Sequence, residues 1–171
     1  FRPLRVDKKT MYELERTKEF FVGIDSDGCA FDTMELKHKE CFIHHTIQYY
    51  NLQAISKYAR EAAEFVNLYS KSRGINRFPA LVESLQWLQK RPEVAARGVT
   101  IEIPPGLLLW IEQETKLGNP ALAALLEGNE NPDPDLVTAL KWSVAVNDAV
   151  AEMVHGVPPF PLVRECLEKL H

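Results

Sequence analysis

From residue 33 onward the apolar residues of this chain recur at helical spacing, and that period limits what it can fold into. Ile55, Tyr58, Ala59, Ala62, Phe65, Val66 and Tyr69 follow one another at intervals of 3, 1, 3, 3, 1 and 3. Such residues share one face of an α-helix. Leu36, Ile43, Ile47 and Tyr50 form a looser stripe before them. Pro79 suits the first turn of a helix near 79–90, buried through Leu81, Val82, Leu85 and Leu88 and ended by Pro92. The loop 70–77 precedes it. Further helices are predicted over 106–117, closed by Gly118, and from Asn119-Pro120 through Leu126. A long helix follows the turn at 131–135 and ends near His155, and a last one carries Val163, Cys166, Leu167 and Leu170. A striped helix must bury its face on a neighbour, so a helical bundle is expected, with Trp87, Trp110 and Trp142 in its core.

Composition narrows the class further. With 46% hydrophobic and 26% charged residues, the chain is neither a disordered tail nor a fibre. No apolar run approaches the roughly 20 residues of a membrane helix, so no membrane partner is expected. A net charge of −4 argues against a broad nucleic-acid surface. Cys29, Cys41 and Cys166 are an odd, scattered set that suggests neither disulfides nor zinc, so a reduced, cytoplasmic setting is expected. Only 8 glycines occur, few for a complete α/β enzyme. Residues 1–18 are polar, with Met11 and Leu14 allowing at most a short amphipathic helix. Oligomeric state is not legible.

One segment breaks the helical pattern. Phe20-Phe21-Val22-Gly23-Ile24 reads as a short buried strand, and it runs directly into Asp25-Ser26-Asp27-Gly28-Cys29-Ala30-Phe31-Asp32-Thr33. Alternation places Asp25 and Asp27 on one side if the strand continues through them. Two carboxylates there repel, and a hard divalent cation would offset the cost. Gly28 allows a tight turn and close approach of a ligand. A solvated acidic turn accounts for the same residues, and spacing alone leaves both readings open. Asp32 is expected to fix the turn or cap the next helix. Cys29 is expected to be a small apolar filler.

The whole string FFVGIDSDGCAFDT resembles the first motif of the haloacid dehalogenase-like (HAD) hydrolase superfamily, departing from it at Cys29-Ala30, where Thr-Leu is usual. The resemblance implies an α/β HAD-like (Rossmannoid) core, incomplete in this mostly helical chain, with a large inserted all-α cap. It implies Asp25 as nucleophile forming an aspartyl-phosphate, and Asp27 as the acid and base that serves the leaving group and the water. It also implies Mg²⁺ bound by Asp25 and by the backbone carbonyl of Asp27. Asp27 favours phosphoryl transfer over carbon–halogen cleavage. The expected function is therefore a Mg²⁺-dependent phosphatase acting on a phosphorylated small molecule. A HAD-type phosphotransferase or phosphonatase is the alternative, and a non-catalytic α-helical interaction module is the reading from another class.

Three parts are expected: an N-terminal segment and first core strand over 1–33, a helical cap over 34–155, and a linker and core helix over 156–171. The loop SRGINRF resembles the substrate-specificity loop of sugar-phosphate mutase and phosphonatase-like members. That likeness makes Arg73, Gly74, Asn76 and Arg77 substrate-binding candidates beside Gly28 of the acidic turn, with Arg77 as a distal phosphate or carboxylate clamp and an exposed helix-start residue as its alternative. Lys37 is a further candidate, or simply solvated. His44-His45 near Glu40 reads as a surface pair. Asn147-Asp148 superficially resembles the superfamily's late acidic motif but lies in a helical stripe, so it is not assigned. The remaining motifs are expected beyond His171, which would make this the N-terminal part of a larger hydrolase with little activity alone.

Overall fold

The computed structural model describes residues 19–170; the short helix allowed at 1–18 lies outside them. A continuous helical rod begins after the acidic turn. Helix α1 (Thr33–Leu36) passes through a π-helical stretch (Lys37–Phe42) into α2 (Ile43–Tyr49). A short 3-10 turn (Gln53–Ile55) leads to α3 (Ser56–Glu64), which widens into a second π-helical stretch (Phe65–Tyr69). Then come α4 (Arg77–Gln89), the single turn α5 (Pro92–Ala95) and α6 (Pro105–Gln113). The chain closes with α7 (Asn119–Leu126), the long α8 (Pro134–Met153) and α9 (Val163–Leu170).

Local chemistry sets several of these starts. The Asn76 carboxamide oxygen accepts from Phe78 N at 3.0 Å, capping α4, and Asp133 accepts from Asp135 N at 2.8 Å, capping α8. Proline occupies the first turn of α5, α6, α7 and α8, where its missing N–H has no helical role. The α6 helix stops at Gln113, short of Gly118. Gly118 sits in extended backbone and precedes α7 rather than ending α6.

The core lies where α2, α3, α4, α6 and α8 meet. Phe78 and Trp142 are its centre, both almost fully buried. Phe78 meets Trp110 edge-on at 4.9 Å and Trp142 at 6.0 Å, and Trp142 also faces Phe42 and Tyr50 edge-on. Edge-to-face contacts set the ring's positive rim against a neighbour's negative face. The Trp142 indole N–H donates to Thr46 Oγ1 at 3.1 Å, which satisfies the polar atom of an otherwise apolar site. Trp87 departs from expectation: it is 44% exposed and meets Phe65 of the second π-helical stretch edge-on at 4.8 Å.

The expected α/β core is corrected by the structure. Among the described residues there are helices and no strand or sheet, only isolated bridges joining Asp27 to Phe31 and Phe31 to Pro159. Residues 20–24 lie outside any helix or strand and are not buried: Phe20 is 82% and Phe21 93% exposed. Apolar, β-branched content favours a strand only where another strand supplies the ladder, and no described segment pairs with this run through backbone hydrogen bonds. The alternating Thr100-Ile101-Glu102-Ile103 likewise forms no strand; its Ile101 carbonyl is taken up by the Gln89 side chain at 2.9 Å. Among the described residues no helix is long and apolar enough to cross a membrane.

Removing the central indole tests this packing. Trp142→Ala should destabilise the protein by roughly 3–5 kcal/mol, and Trp142→Phe by clearly less, because most of the ring contact survives. Urea midpoints of the two variants, measured at one pH, would check the order.

Candidate functional site

The acidic segment folds as a tight turn. The Ser26 carbonyl accepts from Ala30 N at 3.1 Å and Phe31 N at 2.9 Å, while Gly28 N donates to Phe31 O at 2.8 Å. Gly28 has φ +69°, and a β-carbon there would lie 2.7 Å from Met34 Cγ and 3.1 Å from Arg73 Nη2. Glycine is favoured both by its backbone angle and by the close approach of the Met34 side chain, with the Arg73 guanidinium next. Phe160 N donates to Ala30 O at 2.9 Å, so the segment leading to α9 returns to the same turn at which the helical bundle begins.

The two carboxylates have different surroundings. Asp25 is exposed; its Oδ1 accepts from Ser26 N at 2.9 Å and its Oδ2 has no partner among the described residues. Asp27 is held by two groups, Thr33 Oγ1 at 2.7 Å on Oδ1 and the Lys37 ammonium on Oδ2. The Lys37 bond, then the Thr33 bond, hold the Asp27 carboxyl below its usual range. Lys37 is thus an ion-pair partner of Asp27 rather than a solvated cation. Asp32 stands at the start of α1, but its side chain makes no capping bond. Cys29 is exposed, and the thiol that fills core space is Cys41.

An open cleft of about 520 Å³ joins this turn to the bundle, lined by Asp25, Asp27, Met34, His38, Phe42, Asn67, Arg73, Gly74, Ile75 and Arg77. Of the residues expected from sequence, Asp25, Asp27, Arg73, Gly74 and Arg77 line this cleft, with Gly28 under Arg73. Asn76 does not line it: its oxygen caps α4 and its amide donates to Leu117 O at 3.1 Å.

Arg77 is neither an exposed helix start nor a wholly free clamp. Its Nη1 donates to Ser143 O at 3.1 Å, Ser143 Oγ at 2.9 Å and Asn147 Oδ1 at 2.8 Å, and its guanidinium lies 5.0 Å from the Phe42 ring centre. These acceptors are neutral. Burial lowers the Arg77 pKa, and among the described residues no carboxylate pairs with the guanidinium. Asn147 and Asp148 lie within α8, so their place in the structure is helical.

Five lining residues were not singled out in the sequence: Met34 and Ile75, which adjoin the acidic turn and the 70–77 loop, and His38, Phe42 and Asn67. His38 and Phe42 belong to the first π-helical stretch, and Asn67 to the second. A π turn rotates the following side chains relative to an ideal helix and recurs at functional sites, yet it carries no clear sequence signature. His38 is 9% exposed, stacks on Phe42 at 4.7 Å, and has a buried Nδ1 without a hydrogen-bond partner. Burial first, then the Lys37 and Arg77 charges, push its pKa down to about 4. His44 and His45 meet edge-on at 5.2 Å away from this cleft.

The oxygens available to a hard cation are the Asp25 carboxylate and the Asp27 backbone carbonyl, which accepts no backbone hydrogen bond among the described residues. They suit Mg²⁺, which retains water in incomplete protein shells. Among the described residues no group of three or more His, Cys, Asp or Glu is placed to hold a metal ion. Comparison with protein-family models, curated proteins and solved structures returned no match.

Two pH experiments follow from these surroundings. Lys37→Gln should raise the Asp27 pKa toward the ordinary carboxylate value, read by carboxyl ¹³C NMR titration. For His38 the folded pKa lies below the unfolded value of 6.5, so the unfolded chain binds more protons between about pH 6.5 and 4. Its contribution is complete above that window and is lost as pH falls through it. The loss is on the order of 2–3 kcal/mol, and His38→Phe should remove that part of the slope in urea unfolding measured at pH 7.5 and pH 4.5.

Proposed function

We propose that the protein is a Mg²⁺-dependent phosphoryl hydrolase that acts on a phosphorylated small molecule through an aspartyl-phosphate on Asp25. The observation that carries this reading is the pairing of an accessible carboxylate with a held one. Asp25 reaches the cleft with Oδ2 unengaged, while Asp27 is fixed two residues away by Thr33 and Lys37. A nucleophile needs an available lone pair, and a general base needs a fixed position and an ionised state.

In the first step Asp25 Oδ2 attacks phosphorus opposite the leaving oxygen; the new O–P bond forms as the ester bond breaks. Arg73 stands over the Gly28 turn, where a guanidinium can bind phosphoryl oxygens in forked geometry. In the second step a water attacks the phosphorus of aspartyl-phosphate, and Asp27 takes its proton as Asp25 leaves. The Asp27 ion pair suits that basic half. Donating a proton to the leaving oxygen in the first half requires Asp27 to separate from Lys37 and become protonated. Bound Mg²⁺ would neutralise negative charge on the phosphoryl oxygens, held by Asp25 and the Asp27 carbonyl. The three free thiols accord with a reducing, cytoplasmic setting.

Phosphotransferase and phosphonatase activities would use the same nucleophile and differ in the acceptor or the bond cleaved. One observation favours the reading as a helical interaction module: Phe65 and Trp87 line a second open cleft of about 440 Å³, with Glu61, Lys90 and Arg91. Trapping separates the classes. With Mg²⁺ and beryllofluoride, the enzyme should give a ¹⁹F NMR signal of an aspartyl adduct that is absent in Asp25→Asn and after chelation. Assayed in the whole protein, the same substitution should lower p-nitrophenyl phosphate turnover by on the order of 10⁴ or more while leaving the urea midpoint nearly unchanged. No adduct, or turnover retained in Asp25→Asn, would refute the nucleophile.

A further inference from the structure

We propose that His38 is a ligand-binding residue of the cleft, donating its Nε2–H to an oxyanion whose charge is met by Arg73. The inference rests on the cleft binding an anionic ligand, as in the reading above, but not on catalysis at Asp25.

The argument begins with the two ring nitrogens. Nδ1 is closed off from solvent and has no partner, whereas Nε2 is not among the buried orphan atoms. A neutral imidazole carries one N–H and one bare nitrogen. An unsatisfied buried N–H is rarer in proteins than an under-satisfied acceptor, so the hydrogen belongs on Nε2 and the bare lone pair on Nδ1. The ring lines the cleft, which makes the Nε2 edge the one a ligand meets. Protonation would place a second N–H at the orphan position; burial first, then the Lys37 and Arg77 charges, disfavour it. At neutral pH the ring is therefore a donor with no net charge.

The surrounding charges specify what it would donate to. The Arg73 guanidinium makes no hydrogen bond or ion pair among the described residues, and Glu35 is only within electrostatic reach. Arg77 is held by neutral acceptors, so its positive charge also remains uncompensated at the cleft wall. Lys37 is already neutralised by Asp27. The wall formed by His38, Arg73 and Arg77 thus offers donors and two positive charges; of the two acids lining the same cleft, Asp27 is paired with Lys37 and only Asp25 opposes an anion, so a phosphoryl group or a carboxylate meets that chemistry. The Phe42 ring beneath His38 keeps the imidazole from swinging away.

Histidine ¹⁵N NMR on the whole protein tests the assignment, with inorganic phosphate and acetate titrated separately at pH 7. His38 should show the Nε2–H tautomer, and one or both anions should shift its Nε2 signal while leaving His44 unmoved. A response to phosphate alone identifies a phosphoryl subsite; a response to both identifies a general oxyanion subsite. His38→Phe should weaken the responding anion about ten-fold, and His38→Gln, whose amide N–H takes the place of Nε2–H, by no more than about three-fold. Equal losses in both variants, no loss in either, the Nδ1–H tautomer, or no shift with either anion would each overturn the proposal. If phosphate shifts His38 but beryllofluoride gives no adduct at Asp25, the oxyanion subsite stands and the hydrolase reading fails. If the adduct forms without any His38 response, the reverse holds.

Discussion

A guanidinium held between three helices without a carboxylate organises this molecule. Arg77 opens α4, binds Ser143 and Asn147 of α8, and lies over Phe42 of the first helical rod. The arrangement ties the rod to the bundle directly above Trp142, whose ring touches Phe42 and Phe78. Neutral acceptors satisfy the hydrogen-bonding groups but leave the charge in place. That charge helps to keep His38 neutral and gives the cleft wall its sign. Architecture and electrostatics of the cleft therefore share one side chain.

The acid pair at the cleft mouth is asymmetric for a similarly local reason. Asp25 precedes the turn and meets only the next backbone N–H, while Asp27 faces the start of α1 and receives Thr33 and Lys37. The Asp27–Lys37 bond is partly exposed, so its contribution to stability is small, on the order of 1 kcal/mol or less. Its consequence is chemical: it keeps one of the two carboxylates ionised and in place.

How much of the site was legible depended on how local its causes were. The Asp-x-Asp-Gly turn could be read because Gly28 and the two acids act within a few residues of one another. Arg73 and Gly74 could be placed near it only through a resemblance to a loop pattern, and Gly28's contact with Arg73 gives that placement a steric basis. Arg77 was legible as important but not as a tie to α8, since its acceptors lie 66 and 70 residues away. His38, Phe42 and Asn67 escaped notice because two π-helical stretches turned them toward the cleft.

By itself the sequence determined most of the helices and the acidic turn, because 3.6-residue periodicity and glycine's backbone freedom operate over one or two turns of chain; the caps it did not, since Asp32 makes no capping bond and the caps found are Asn76 and Asp133. Only the tertiary structure decided the fate of residues 20–24, which were apolar enough to read as a buried strand and yet stand exposed. It also decided that Trp87 faces outward while Trp110 and Trp142 are buried. Burial and strand pairing require a partner surface from elsewhere in the chain, and the apolar character of a segment states the need for such a surface without supplying it.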